Sequence, residues 1–236
     1  MIKKNNKIFA KNAAWTFDQN VANKFDFHIN KSIPMYKEFR WLGEKLSDYY
    51  IKNDSIVYDI GCSTGNFLKN LAKRHENKKK LKFYGIDIVK NMINYAKSNN
   101  SHEKIKYLNK NILEYNFLNS DLIMSFYTIQ FIHPKFRQKL IDKVYKSLNW
   151  GGAFFFVEKV RSYDARTQDQ MSSIYEEFKI DNNFSLEEIT NKKLSLKGIL
   201  EPFSSRANTQ MLKRSGFKDI STVAKFVSFE FFLAIK

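Results

Sequence analysis

Cysteine, proline, glycine and arginine are all scarce in this chain, and each scarcity excludes something. The one cysteine, Cys62, cannot form an internal disulfide, so a reducing compartment fits. Eight glycines and three prolines in 236 residues supply no flexible linker, and nothing marks a domain boundary. The four histidines, His28, His75, His102 and His133, are scattered without ligand spacing, so no metal site is expected. The densest apolar run is Ala153-Phe154-Phe155-Phe156-Val157, far short of the roughly 20 residues that span a bilayer. The basic, asparagine-rich segment 1–14 lacks the apolar stretch of a signal peptide. The expectation is a soluble, cytoplasmic protein with no membrane partner and a mobile N-terminus over 1–14.

What is present is aromatic and basic. Hydrophobic residues make up 43% of the chain, enough for a core, and 22 Phe and 12 Tyr carry much of it. The net charge of +16 fits a polyanion surface, because clustered cations displace counterions from phosphates. Yet only seven of the 40 basic residues are arginine, as in a composition drifting towards Lys, Asn and Ile. The one tight run, Lys78-Lys79-Lys80, falls where a solvated loop is expected. Direct nucleic-acid binding is therefore left open and is not the favoured reading.

Hydrophobic periodicity predicts helices over Asp18–Asn30 and after Ser32-Ile33-Pro34, then a regular alternation. Strands are expected at Ser55–Ile60, Leu81–Ile86, Ile105–Leu108, Asp121–Phe126 and Ala153–Val157. Helices are expected at Asn66–His75, Val89–Ser98 and Pro134–Leu148, with a turn at Asn149–Gly152 before the fifth strand. Such alternation implies a parallel α/β sheet covered on both faces. The last third breaks the rhythm. Two helices, Asp164–Ile180 and Ser185–Leu196, form an insertion at about 161–200. A helix Thr209–Ser215 stopped by Gly216 follows, then the strands Phe217–Val223 and Phe226–Ile235 as an antiparallel hairpin. One Rossmann-like domain over 15–236, ending in that hairpin, is the expected architecture.

In such a sheet, ligands bind beyond the carboxyl ends of the strands. Those ends are Asp59 to Gly65, Asp87-Ile88, Asn111-Ile112, Phe126 to Gln130 and Glu158-Lys159. The small-residue loop Gly61-Cys62-Ser63-Thr64-Gly65 lets backbone approach a nucleotide-like ligand and leads into a helix N-terminus. Asp87 suits the two hydroxyls of a ribose, and Asn111 an adenine edge. A dinucleotide dehydrogenase is disfavoured, because Ser63 and Asn66 stand where its later glycines belong.

Glycine loop, ribose acid, adenine-side amide and terminal hairpin together resemble class I S-adenosylmethionine-dependent methyltransferases. Further segments look more specifically like the carboxy-S-adenosyl-L-methionine synthase family: Trp15-Thr16-Phe17-Asp18, Ser32-Ile33-Pro34-Met35-Tyr36, Val57 to Ser63, Thr128-Ile129-Gln130-Phe131 and Glu158-Lys159. The resemblance runs from Trp15 onward. It implies a homodimer that takes S-adenosylmethionine and prephenate and moves a carboxyl group onto the sulfonium methyl. Phenylpyruvate leaves, and the product serves an enzyme that modifies the wobble uridine of tRNA. By motif match, Tyr36, Gly61, Cys62, Ser63, Asp87, Ile88, Asn111 and Ile112 would surround S-adenosylmethionine, and Phe126 is expected beside them.

The chain departs from that family in having Phe126 for an asparagine, Lys193 for the arginine that clamps the added carboxylate, and Asn111 for an acid. Lys193 and Lys159 are the candidate anion-holding groups, and no residue is assigned as catalytic. The departures keep an ordinary small-molecule methyltransferase open as a second reading. The charge keeps a non-catalytic RNA-binding protein open as a third.

Overall fold

The computed structural model describes Ala13 and residues 22–236, without the side chains of positions 23 and 24. The Trp15–Asp18 motif, the start of the first expected helix and nearly all of segment 1–14 lie outside the described residues. Among those described, seven strands form one sheet in the order β3-β2-β1-β4-β5-β7-β6. Strands β1 (Ile56–Ile60), β2 (Lys82–Asp87), β3 (Ile105–Asn109), β4 (Ser120–Phe126) and β5 (Leu148–Lys159) run parallel. Strands β6 (Asp219–Phe226) and β7 (Phe229–Ile235) close the edge antiparallel, as the hairpin expectation required.

The sheet is covered on both faces, which explains its near-continuous apolar strands. Successive β5 residues divide between two cores. Phe155 packs with Phe39, Phe67 and Phe231 on one face. Phe154 and Phe156 pack with Leu140, Ile141, Leu212 and Phe217 on the other. Helices α1 (Ala22–Ser32), α2 (Tyr36–Tyr50) and α3 (Asn66–Arg74) contribute to the first layer, and α5 (Pro134–Ser147) and α8 (Ser205–Ser215) to the second. Helix α4 (Lys90–Asn99) packs on β2 and β3. The two inserted helices, α6 (Ala165–Asp181) and α7 (Leu186–Ser195), stand between β5 and α8. Helix α7 opens with the capping box formed by Ser185 and Glu188.

Several boundaries differ from the sequence expectation, and three of them have a clear physical reason. Asn149–Gly152 is the opening of β5 and not a separate turn. The Gly151 N–H donates to the Lys236 carbonyl at 2.8 Å and the Lys236 N–H to the Gly152 carbonyl at 2.9 Å, so the chain end extends the pairing. Helix α8 begins at Ser205, because the Ser204 hydroxyl accepts from the Ala207 N–H at 3.1 Å and caps it. Phe217 is not in β6; its ring is buried against Tyr145 and Phe154.

The turn after β1 requires a glycine. Gly61 has φ +79°, and a Cβ there would stand 2.1 Å from Thr128 Oγ1 after β4. Gly61→Ala is expected to lower unfolding stability by about 2 kcal/mol, read from the midpoint of urea denaturation.

Candidate functional site

A cavity of about 850 Å³ opens beyond the carboxyl ends of the parallel strands. It lies where chain order reverses between neighbouring β1 and β4, the crevice such sheets offer to ligands. Tyr36, Gly61, Cys62, Ser63, Asp87, Ile88, Asn111, Ile112 and Phe126 all line it.

One half of the cavity is acidic. Asp87, at the end of β2, accepts from the Ser63 N–H through Oδ2 and from the Val89 N–H through Oδ1, both at 2.9 Å. These bonds fix the loop and aim the carboxylate, whose remaining lone pairs can accept hydroxyls. Burial raises its pKa. Asp59, at the end of β1, also lines the cavity, and burial pushes it up to about 7; Arg40 opposes that shift and Asp87 reinforces it. Two adjacent acids held against their charge are suited to a cationic ligand. Ile88 beside them is 68% exposed, a bare apolar surface for a flat ring. Asn111 has its polar groups engaged within its own turn: Oδ1 accepts from the Leu113 N–H and Nδ2 donates to Glu114, both at 3.0 Å.

The loop is latched from above by α1. Thr64 Oγ1 donates to both Asp26 oxygens, at 3.0 and 3.2 Å, and Asn66 Nδ2 donates to Asp26 Oδ2 at 3.2 Å. Arg40 lies one turn beyond Tyr36 on α2 and donates to the Tyr36 hydroxyl and to Asn66 Oδ1, each at 3.3 Å. Cys62 is buried, and burial pushes its thiol well above the ordinary range, so it is a packing group and not a nucleophile. Phe126 packs on Phe67 at 4.7 Å and Phe231 at 5.6 Å between ring centroids.

The other half is cationic. Lys159 at the end of β5, Lys179 on α6 and Lys192 on α7 line the cavity together with His28 on α1. The Lys159 and Lys179 ammoniums lie 4.5 and 3.9 Å from the centroid of the Tyr175 ring. Lys192 Nζ and His28 Nε2 are 2.8 Å apart. Burial lowers Lys159 to about 8, Lys179 to about 7 and Lys192 to about 8; Arg161 and Lys193 add to the shift of Lys159, and Lys159 adds to those of Lys179 and Lys192. Burial, with Lys192 and Lys179, lowers His28 to about 4. Lys193, expected at the substrate carboxylate, is not among the lining residues. Its ammonium pairs with Glu176 at 3.2 Å, and its side chain is 74% exposed. Helical rotation explains the exchange: adjacent residues of α7 point about 100° apart, which turns Lys192 inward and Lys193 outward.

Residues 57–152 match the family described as a methyltransferase domain. The carboxy-S-adenosyl-L-methionine synthase of Staphylococcus epidermidis is 37% identical over 94% of this chain and 97% of its own length. That of Campylobacter lari is 37% identical over 93% and 94%. The chain belongs to the carboxy-S-adenosyl-L-methionine synthase family. The fold agrees: an S-adenosylmethionine-dependent methyltransferase structure from Aquifex aeolicus aligns with a TM-score of 0.60 at 15% identity, over 93% of this chain and 98% of that one.

Within this synthase-family fold, sequence reasoning missed Arg40, Asp26, Lys179 and Lys192. Arg40 carried a signal, an arginine in a lysine-rich chain four residues after Tyr36. The two lysines carried none among 33. Phe126 marks a local departure that packing has absorbed. Phe126→Asn, which installs the residue seen in the resembling family, is expected to cost about 3 kcal/mol by removing ring contacts and burying an amide. Thermal and urea unfolding measure it.

Proposed function

We propose that this protein is a transferase that carboxylates the methyl group of S-adenosylmethionine, with prephenate as carboxyl donor. The observation that carries this reading is the division of one cavity into an acidic and a lysine-lined half. A cationic sulfonium compound suits Asp59 and Asp87, and a dicarboxylate suits Lys159, Lys179 and Lys192. The acids stand on β1 and β2, and Lys159 stands on β5, across β4 from β1. That separation is two strand spacings from Asp59 and three from Asp87, about 10 to 14 Å, which suits two small molecules held end to end.

S-adenosylmethionine, when bound, supplies a sulfonium that acidifies the methyl group receiving the carboxyl. In this reading Asp87 holds the ribose hydroxyls, the Gly61-Cys62-Ser63 loop lies along the amino-acid end, and Ile88 and Ile112 contact the adenine. The lysines bind the donor carboxylates, and the tyrosine and phenylalanine walls around them exclude water. Prephenate loses its ring carboxyl and hydroxyl to become aromatic phenylpyruvate, and the methyl proton leaves with the hydroxyl as water. A homodimer in the cytoplasm, supplying a tRNA wobble-uridine modification enzyme, completes the proposal on the family resemblance. No helix among the described residues is long and apolar enough to cross a membrane.

Incubation with S-adenosylmethionine and prephenate is expected to yield the carboxylated adenosyl compound by mass spectrometry; bound cofactor without that product would sink the proposal. Phe126 and the outward Lys193 favour one competing reading, an ordinary methyltransferase, which would release S-adenosylhomocysteine instead. Asp87→Ala is expected to weaken S-adenosylmethionine binding roughly 100-fold, because it removes the aimed carboxylate and frees the loop at Ser63; titration calorimetry reads the loss.

The lysines also set a pH dependence. Their folded pKa values of about 7 to 8 lie below the ordinary lysine value, so part of the charge is missing at pH 8. A bound anion favours the protonated forms, so binding takes up protons and weakens as pH rises through 7 to 8. Prephenate affinity is expected to fall between pH 6.5 and 9, about tenfold. Calorimetry in buffers of different ionisation enthalpy measures both effects.

A further inference from the structure

Among the described residues, three buried side-chain polar atoms have no hydrogen-bond partner: Asn30 Oδ1, Ser125 Oγ and the Tyr127 hydroxyl. Only Tyr127 lines the cavity. Leaving a buried hydroxyl unpaired is costly, and such a group in a ligand cavity points to a partner that arrives with the ligand.

The position of Tyr127 says which ligand atoms it would meet. It follows directly on β4, the strand that separates the acidic strand ends from Lys159. Its ring stacks on Tyr36 at 5.8 Å on the adenosyl side. On the other side it meets Phe229 edge-on at 5.9 Å, and Phe229 meets Tyr175, whose ring carries the Lys159 and Lys179 ammoniums.

The backbone is committed to this placement. Tyr127 has φ +59°, in the left-handed region that a bulky residue rarely adopts. Its N–H donates to the Val157 carbonyl at 2.7 Å, and its carbonyl accepts from Gln130 Nε2 at 3.2 Å. Gln130 Oε1 in turn accepts from the Lys159 N–H at 2.9 Å, which ties Tyr127 to the lysine side. Burial keeps the phenol protonated, so it is a donor.

We propose that the Tyr127 hydroxyl donates a hydrogen bond to a carboxylate oxygen of the acid ligand, at the junction of the two halves of the cavity. This rests on the carboxyl-transfer reading given above and assigns that reaction a substrate-contacting residue. Tyr127 follows β4, between the β1 end that carries Asp59 and the β5 end that carries Lys159, which in that reading lies between donor and acceptor. The two carboxylates it could meet, that of the donor and that of the product, share this chemistry and are separated by the test.

Tyr127→Phe keeps the ring stack and deletes only the hydroxyl. Its melting temperature is expected to equal or exceed the wild type, since an unpaired buried group is removed; a clear drop would mean a structural partner and overturn the assignment. In protein saturated with S-adenosylhomocysteine, which prevents turnover, prephenate is expected to bind the variant roughly 10- to 100-fold more weakly. Carboxylated S-adenosylmethionine is titrated alongside, and a loss confined to it would place the bond on the product. Affinity for S-adenosylmethionine itself should stay within about twofold, and a parallel loss there would put the hydroxyl in the adenosyl half and overturn the proposal. Unchanged affinities for both acids, with unchanged kcat/KM, would also overturn it. If wild type binds prephenate through Tyr127 but makes no carboxylated product, the carboxyl-transfer reading fails and this contact stands. If wild type binds neither acid, both fail.

Discussion

Strands β1 and β4 are neighbours in the sheet, yet the chain leaves them in opposite directions, towards β2 on one side and β5 on the other. That constraint keeps the space above their carboxyl ends clear of crossover helices. The candidate site is arranged around the gap. The β1 end supplies Asp59 and the glycine loop, the β2 end supplies Asp87, and the β4 and β5 ends supply Tyr127 and Lys159. Gly61 lets the loop settle against Thr128 across the gap, and Asp87 then holds the loop by its Ser63 N–H.

Within this cavity Asp59 and Asp87 stand apart from Lys159, Lys179 and Lys192. Asp59 is raised by burial and opposed by a single arginine, while three lysines are lowered by burial and by neighbouring cations. Either group would be more stable dispersed to solvent. Held together, each gains most from a ligand of the opposite sign, which is how buried charge becomes binding energy. Glu158 has a different task although it ends the same strand as Lys159. Its carboxylate accepts from the Ile129 and Gln130 N–H groups at 3.0 and 2.6 Å and shapes the turn after Tyr127. One dipeptide thus combines a turn-building acid with a cavity-lining base.

The family relationship and the local departures are compatible because packing can change without moving the strand ends. Phe126 occupies the aromatic layer between α3 and β7, and Gly43 on α2 leaves room for its ring, since a Cβ there would lie 3.0 Å from Phe126 Cζ. Next to it, Tyr127 lines the cavity and has a buried hydroxyl without a hydrogen-bond partner. Polarity at the end of β4 therefore resides one residue later than the departure at Phe126 implies. On α7, the cavity-facing cation is Lys192, and Lys193 serves the α6–α7 contact through Glu176.

Periodicity and strand-end residues were enough to read the alternating sheet, the terminal hairpin, the glycine loop and Asp87, because these depend on local order along the chain. Short-range capping also speaks through sequence, as Ser185 and Glu188 show on α7. The opening of β5 was not legible, because Asn149–Gly152 pairs with Lys236 at the far end of the chain. The lysine chamber was not legible either. Lys159, Lys179 and Lys192 belong to three elements, and in a chain with 33 lysines nothing local distinguishes them. Only packing of α6 and α7 beside the end of β5 buries these three ammoniums and leaves Lys193 outside. That choice is made by helix rotation and burial, which no single stretch of sequence records.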